Sequence, residues 1–165
     1  EHDSVETATK RSWDEHMQVN LRSPFVLIQE FAAGFAGEQV QGGEGNVINI
    51  IDQRVWNLTP HFVSYTLSKA GLWTLTQSLA QALAPKVRIN AIGPGPVLAS
   101  ERQTEAAFIK QWSSLPLGRK VQTAEIVGAI RFILDTPSMT GQMIALDSGQ
   151  HLGWMPGPAS DGSHE

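Results

Sequence analysis

Tyr65 and Lys69 stand four residues apart in the run Tyr65-Thr66-Leu67-Ser68-Lys69. On a helix this spacing puts both side chains on one face, a turn apart. A lysine ammonium so placed favours the phenolate and lowers a pKa that is ordinarily about 10, so the phenol can exchange a proton with an oxyanion or amide near neutral pH. The same five residues also occur as a plain surface pair, so their surroundings decide the reading. A second local signal is Gly93-Pro94-Gly95-Pro96, directly after an apolar run. Open α/β sheets bind ligands beyond the carboxyl ends of their strands, where such a turn falls.

The elements that must position these residues are legible as patterns. From Ser12, read as an N-cap with Asp14 and Glu15 in the first turn, Trp13, Met17, Leu21 and Phe25 recur at every fourth position, with Ile28 and Ala32 beyond. The stripe predicts an amphipathic helix of roughly 20 residues. A Gly- and Gln-rich loop from Gly34 to Gly45 follows, then Asn46-Val47-Ile48-Asn49-Ile50-Ile51, which suits a buried parallel strand. Residues 53–63 read as a loop. Ser64 to Leu83 reads as a second helix with Leu67, Gly71, Leu75 and Leu79 on one face, closed by Pro85, and Val87 to Ile92 as a second strand. Residues 98–120 form a polar, part-helical insertion. Thr123 caps a third helix with Ile126, Ile130, Ile133 and Leu134 inward, and Gly141 to Asp147 is the third strand. The order α-β-α-β-α-β implies right-handed crossovers and a doubly wound parallel α/β sheet. Three strands are few for such a sheet, and the strand at 46–51 needs a neighbour on each side, so an N-terminal piece is expected to be missing.

Composition narrows the function classes. The 165 residues hold 41% hydrophobic and 17% charged types, enough apolar material for a core. Twelve Lys+Arg against 16 Asp+Glu leave a net charge of -4 without a basic run, which argues against nucleic acid or an anionic membrane as partner. No apolar stretch is long enough to span a bilayer. The absence of cysteine excludes disulfides, thiolate metal sites and cysteine nucleophiles, and it fits a reducing, cytoplasmic setting. The five histidines show no metal-ligand spacing and read as surface or loop residues. Gly42-Gly43-Glu44-Gly45 precedes a strand instead of linking strand to helix, the wrong order for a phosphate loop.

Taken in order, Asn20, Val47-Ile48-Asn49-Ile50, Tyr65-x-x-x-Lys69-Ala70, Arg88-Ile89-Asn90-Ala91-Ile92-Gly93-Pro94-Gly95 and Leu146-Asp147-Ser148-Gly149 resemble the short-chain dehydrogenase/reductase family over residues 12–150. The resemblance implies a Rossmann-like sheet, a nicotinamide cofactor and a homotetramer. It makes Tyr65 the proton donor or acceptor, and Lys69 the partner that binds the nicotinamide ribose and lowers the Tyr65 pKa. Asn20 becomes the anchor of a water in the proton relay. Pro24, four residues after Asn20, has no N–H for the Asn20 carbonyl, a local reason for that carbonyl to hold a water. Gly93, Pro94, Gly95 and Val97 would pack on the cofactor.

Thirteen residues before the tyrosine, where the family normally has serine, this sequence has Asp52. A carboxyl group grips an amino-heterocycle by paired hydrogen bonds, or helps protonate a ring nitrogen, better than a hydroxyl does. Asn49-Ile50-Ile51-Asp52 is similar to the pteridine reductase branch, which implies NADPH (NADP) as cofactor and a pterin or dihydrofolate-like C=N bond as substrate. Asp52, Tyr65, Arg54 and Trp56 are then the expected substrate contacts. A general carbonyl or alcohol oxidoreductase of the same family stays open as an alternative.

The family's Gly-rich turn and Asn-Asn-Ala segment do not occur, so residues 1–152 are expected to be the C-terminal part of one reductase domain and 153–165 a flexible tail. A non-catalytic remnant that acts only in oligomerisation is the competing reading.

Overall fold

The computed structural model describes residues 3–35, 45–101 and 103–153. The chain runs α1 (Lys10–Met17), a π turn (Gln18–Arg22), α2 (Ser23–Ala33), β1 (Gly45–Ile50), a 3-10 turn (Gln53–Val55), α3 (Val63–Leu83), β2 (Val87–Pro94), α4 (Glu105–Ser113), α5 (Thr123–Leu134), β3 (Met143–Leu146) and a last 3-10 turn (Gln150–Leu152). The strands form one parallel sheet in the order β1-β2-β3. Gly45 pairs with Val87 through Ile50 with Ile92, and Ala91 with Met143 through Pro94 with Leu146. The α/β fold with a parallel sheet is the one expected. The segment Gly42-Gly43-Glu44 and the tail beyond Gly153 lie outside the described residues.

Central β2 shows why the sheet carries helices on both faces. Val87, Ile89 and Ala91 point one way and pack with Ile28, Leu72 and Ala80 of α2 and α3. Alternation sends Arg88, Asn90 and Ile92 the other way, toward α5. There the Arg88 guanidinium donates to the carbonyls of Ile133, Leu134, Thr136 and Met139 at 2.8–3.2 Å. The end of a helix leaves carbonyls without partners, and a half-buried cation suits the negative end of its dipole. Asn90 adds a bond to the Met139 carbonyl at 2.9 Å. Two residues of the Arg-Ile-Asn-Ala motif therefore anchor the end of α5 and its connection to β3.

Several expected boundaries and faces move. Thr9, not Ser12, caps α1, its hydroxyl accepting from the Ser12 N–H; Ser12 is buried one turn inside. Gln122, not Thr123, caps α5 and forms a capping box with Glu125. The inward row of the first helical stretch includes Ser12 and Ile28, while Trp13 and Phe25 of the predicted stripe are exposed. Likewise α3 buries Ser64, Ser68, Leu72, Thr76 and Ala80, and leaves Leu67 46% exposed. Leu134 of α5 faces solvent while Ile133 is fully buried. Gly71 serves close approach: a Cβ there would meet Leu21 Cδ2 at 2.9 Å, so its absence lets α3 lie against the π turn.

The start of α3 is held from a distance. Phe62, its N-cap, sits in the left-handed region at φ 58° and offers no capping side chain. Asp3 supplies the cap instead. Its carbonyl accepts the Phe62 N–H at 2.7 Å, and its Oδ2 accepts both the Ser64 N–H at 3.3 Å and the Ser64 hydroxyl. A carboxylate at this end also complements the helix dipole. Burial opposes ionisation of Asp3, but the bonds from Ser64 and the nearby His16 outweigh it and hold the carboxyl below its ordinary value. We expect Asp3→Ala to lower unfolding stability by about 1–2 kcal/mol in urea denaturation. Because the folded-state pKa lies below the unfolded one, this stabilisation is complete above the unfolded value near 3.9 and fades as pH falls through the folded value. Asp3→Asn should flatten that part of the stability–pH curve.

Candidate active site

Chain geometry brings Asp52, Tyr65, Lys69 and Asn20 to the carboxyl end of β1. Asp52 follows two residues after the strand in extended conformation, and its Oδ1 accepts the Arg54 N–H at 2.8 Å, which caps the 3-10 turn. Its Oδ2 accepts the Tyr65 hydroxyl at 3.0 Å. Tyr65 lies in the first turn of α3. One turn further, Lys69 Nζ donates to the Ile50 carbonyl at 2.9 Å, the last carbonyl of β1. The helix that carries Asn20 widens into a π turn just before Pro24, with the Ser23 N–H and the Ser23 hydroxyl both reaching the Gln18 carbonyl. Local π turns of this kind recur at functional sites. Here the turn aims the Asn20 amide at Ser68 Oγ, 3.1 Å away, and Ser68 in turn donates to the Tyr65 carbonyl at 2.7 Å.

The electrostatics of the tyrosine reverse the expected direction. Burial, then the charge of Asp52 and its hydrogen bond, push the Tyr65 phenol far above its ordinary value, with only partial relief from Arg54. Lys69 does not prevail because its Nζ is 5.9 Å from the phenol ring centre, whereas the Asp52 carboxylate touches the hydroxyl. Burial lowers the Lys69 ammonium itself, against the opposing pull of Asp52. The arrangement is therefore a protonated phenol that donates to a carboxylate, beside an ammonium readier than usual to lose its proton.

The remaining predicted site residues fall around this centre. Arg54 lies over the Phe62 ring at 4.6 Å and donates to Thr59 at 3.2 Å. Trp56 is 45% exposed and meets the edge of the His151 ring at 5.6 Å. His151 is itself fixed by Asp147, which accepts its N–H at 2.7 Å and pairs with its Nδ1 at 2.8 Å. Gly93, Pro94, Gly95 and Val97 leave the end of β2. A Cβ on Gly95 would meet Asp147 Cα at 2.7 Å and one on Gly93 would meet Met143 Sδ at 3.1 Å, so these glycines let the exits of β2 and β3 pack together. Reading the sequence did not single out Asp3, His16 and Ser64. The one available signal was His16 four residues before Asn20, on the same helical face. His151, read as a loop histidine, also joins the site's surroundings; its i, i+4 spacing from Asp147 was the clue. Among the described residues no cluster of His, Asp and Glu could hold a metal, and no helix is long and apolar enough to cross a membrane.

Tyr65 is the single tyrosine of these 165 residues, so in this chain tyrosinate absorbance reports it alone. In an ultraviolet pH titration the phenol should stay un-ionised beyond its ordinary value of about 10. Asp52→Asn should bring the midpoint down, since the charge that opposes the phenolate is gone. A wild-type midpoint at or below the ordinary value would contradict the geometry.

Comparison with known proteins shows the family and fold to which this chain belongs. The family described as Enoyl-(Acyl carrier protein) reductase matches residues 1–151. A probable galactose dehydrogenase, GalD, of Rhizobium meliloti is 34% identical over 88% of this chain and 58% of its own length. A dihydromonapterin reductase of Escherichia coli is 28% identical over 82% of this chain and 56% of its own length. Among solved structures, the FolM alternative dihydrofolate reductase 1 from Brucella suis in complex with NADP is 47% identical, with a TM-score of 0.86, covering 94% of this chain and 62% of that one. The corresponding Brucella canis protein, complexed with NADP, is 46% identical with a TM-score of 0.87. The chain thus spans between 56% and 62% of the length of these relatives.

Proposed function

Because this chain belongs to the short-chain dehydrogenase/reductase family, we propose that the protein carrying it is an NADPH-dependent reductase of a pterin or dihydrofolate-like C=N bond. The observation that carries the reading is the Tyr65–Asp52 hydrogen bond of 3.0 Å, an acid beside the family's tyrosine. The relatives described as dihydromonapterin reductase and the FolM structures with NADP support it. Residues 1–152 are read as the C-terminal part of one reductase domain.

The donor set fits a nicotinamide ribose, which needs hydrogen-bond donors to its diol. Lys69 and Tyr65 offer an ammonium and a phenol one turn apart at the carboxyl ends of parallel strands, with the Gly93-Pro94-Gly95-Val97 turn at the end of the neighbouring strand. When bound, NADPH supplies the hydride. The chain's own residues supply the rest. Asp52 accepts hydrogen bonds from the amino-heterocycle and orients it, while Tyr65 gives its proton to the ring nitrogen as the neighbouring carbon is reduced. One O–H bond breaks and one N–H bond forms. Lys69, made more acidic by burial, and Asn20, which holds the helix through Ser68, support return of a proton to the phenolate. Arg54 and Trp56 border the substrate side.

A second reading, oxidation of an alcohol or sugar, is supported by the GalD relative and disfavoured by Asp52, since a hydroxyl substrate gains little from a carboxylate where serine serves the family. A homotetramer and a cytoplasmic setting complete the proposal; exposed Val127 and Phe132 on α5 and Leu27 and Phe31 on α2 are the apolar surface that supports association. Calorimetric titration of NADPH, followed by turnover of dihydrobiopterin and dihydrofolate, tests the reading. We expect binding and turnover in the whole protein that carries this chain. Tyr65→Phe should retain binding and lose turnover by about 10²- to 10⁴-fold. Sugar or alcohol oxidation without any pterin or folate reduction would favour the second reading.

A further inference from the structure

Ser64 immediately precedes Tyr65, is fully buried, and has its hydroxyl between two groups that the proposed reaction does not use. Asp3 Oδ2 lies on one side within hydrogen-bond reach, and His16 Nδ1 lies 2.7 Å away on the other. A serine hydroxyl has one proton, and an ionised carboxylate can only accept. Ser64 therefore donates to Asp3, and its oxygen must accept from His16 Nδ1–H. This assigns the hydrogen of His16 to Nδ1 in either protonation state of the ring.

The same geometry repeats one turn along. His16 meets Ser64 and Asn20 meets Ser68, each pair 48 residues apart in sequence. Two polar rungs, one helical turn apart, thus clamp the α1–π segment to α3. Tyr65 is gripped between them: the residue before it is tied to His16, and its own carbonyl is tied to Ser68 at 2.7 Å. The His16 ring also stands edge-on to the Tyr65 ring, with centroids 5.8 Å apart at 73°. Phe62 enters the helix in a left-handed conformation that costs roughly 1–2 kcal/mol by itself, so contacts from outside the helix help the first turn's own Thr66 N–H to Phe62 carbonyl bond to hold it in place.

We propose that His16 is a positioning residue for Tyr65: its Nδ1–H, through Ser64 and Asp3, fixes the first turn of α3 so that the phenol faces Asp52. The inference rests on the reductase reading for its kinetic consequence and on the geometry alone for its structural one. His16→Leu removes the donor, while His16→Asn puts an amide N–H near the position of Nδ1. In the protein assayed for NADPH-dependent dihydrobiopterin reduction, His16→Leu should lower kcat by about 10- to 100-fold, the size of effect that small misplacements of reacting groups have, with KM changed by less than about threefold. His16→Asn should recover most of the loss. Ser64→Ala breaks the same rung with a minimal change of volume and also removes the hydroxyl bond to Asp3, so a His16→Leu/Ser64→Ala double variant should fall no further than the worse single one, because Ser64→Ala already removes the bond that His16→Leu breaks.

Tyrosinate absorbance supplies a readout that needs no turnover. His16→Leu and Ser64→Ala should move the Tyr65 titration toward the ordinary value as the phenol loses its alignment on Asp52, and His16→Asn should leave it in place. An unchanged titration and kcat in His16→Leu and Ser64→Ala would overturn the proposal, as would an Asn variant as impaired as the Leu variant, or additive losses in the double variant. A wild type without pterin or folate reduction would remove the reductase reading only, since the absorbance titration would still decide whether His16 positions Tyr65.

Discussion

Helix α3 buries hydroxyl groups where an ordinary amphipathic helix buries leucines, and that constraint organises the rest of the molecule. Ser64, Ser68 and Thr76 are on its inward row, each at 0% exposure. A buried hydroxyl without a partner costs of the order of 1–3 kcal/mol; Ser68 and Thr76 donate within the helix to the Tyr65 and Leu72 carbonyls, and all three hydroxyls also meet groups on other elements. Asp3 and His16 meet Ser64, Asn20 meets Ser68, and Asn49 of β1 donates to Thr76 at 2.9 Å. These bonds are directional, and apolar contacts are not. They set both the rotation of α3 and its register along β1 and the α1–π segment, which leucine packing would leave freer to slide.

What that register delivers is Tyr65 opposite Asp52. The phenol is anchored at its backbone by the Ser64 and Ser68 bonds and at its tip by the carboxylate, while Lys69 reaches across to the end of β1. Arg88 and Asn90 do the corresponding work on the other face of the sheet, where they fasten the end of α5 and the connection to β3. The glycines at 93 and 95 let those strand exits close together. The geometry at the end of the sheet thus depends on polar contacts made throughout the fold, and the charge of Asp52 holds the Tyr65 phenol in its protonated form.

Much of this was legible in the sequence. The alternation of apolar runs with helical stretches identified the parallel sheet, and the Tyr-x-x-x-Lys spacing marked the site because side chains four apart share a helical face. The inward faces were misjudged for one physical reason. Periodicity arguments weigh apolar residues, and here the buried rows of the helical stretches are partly polar: Ser12 rather than Trp13, Ser64 and Ser68 rather than Leu67. Caps were displaced because Thr9 and Gln122 cap from just outside the predicted starts, and because α3 takes its cap from Asp3, far away in the chain and invisible to any local pattern. The direction of the Tyr65 shift was missed because spacing reveals Lys69 but not that Asp52 would lie in contact with the phenol.

The proposed function holds that the carboxylate beside the tyrosine selects a nitrogen heterocycle over a simple carbonyl. The most direct measurement is kcat/KM for dihydrobiopterin and for a small ketone in the wild type and in Asp52→Ser, which restores the family's hydroxyl. Loss of a hydrogen-bonding group built to match a substrate can cost a factor of about 10⁴ in discrimination. The account predicts a fall of at least about 100-fold in the pterin-to-ketone ratio, with ketone turnover unchanged or raised. Equal losses on both substrates, or no change in the ratio, would contradict it.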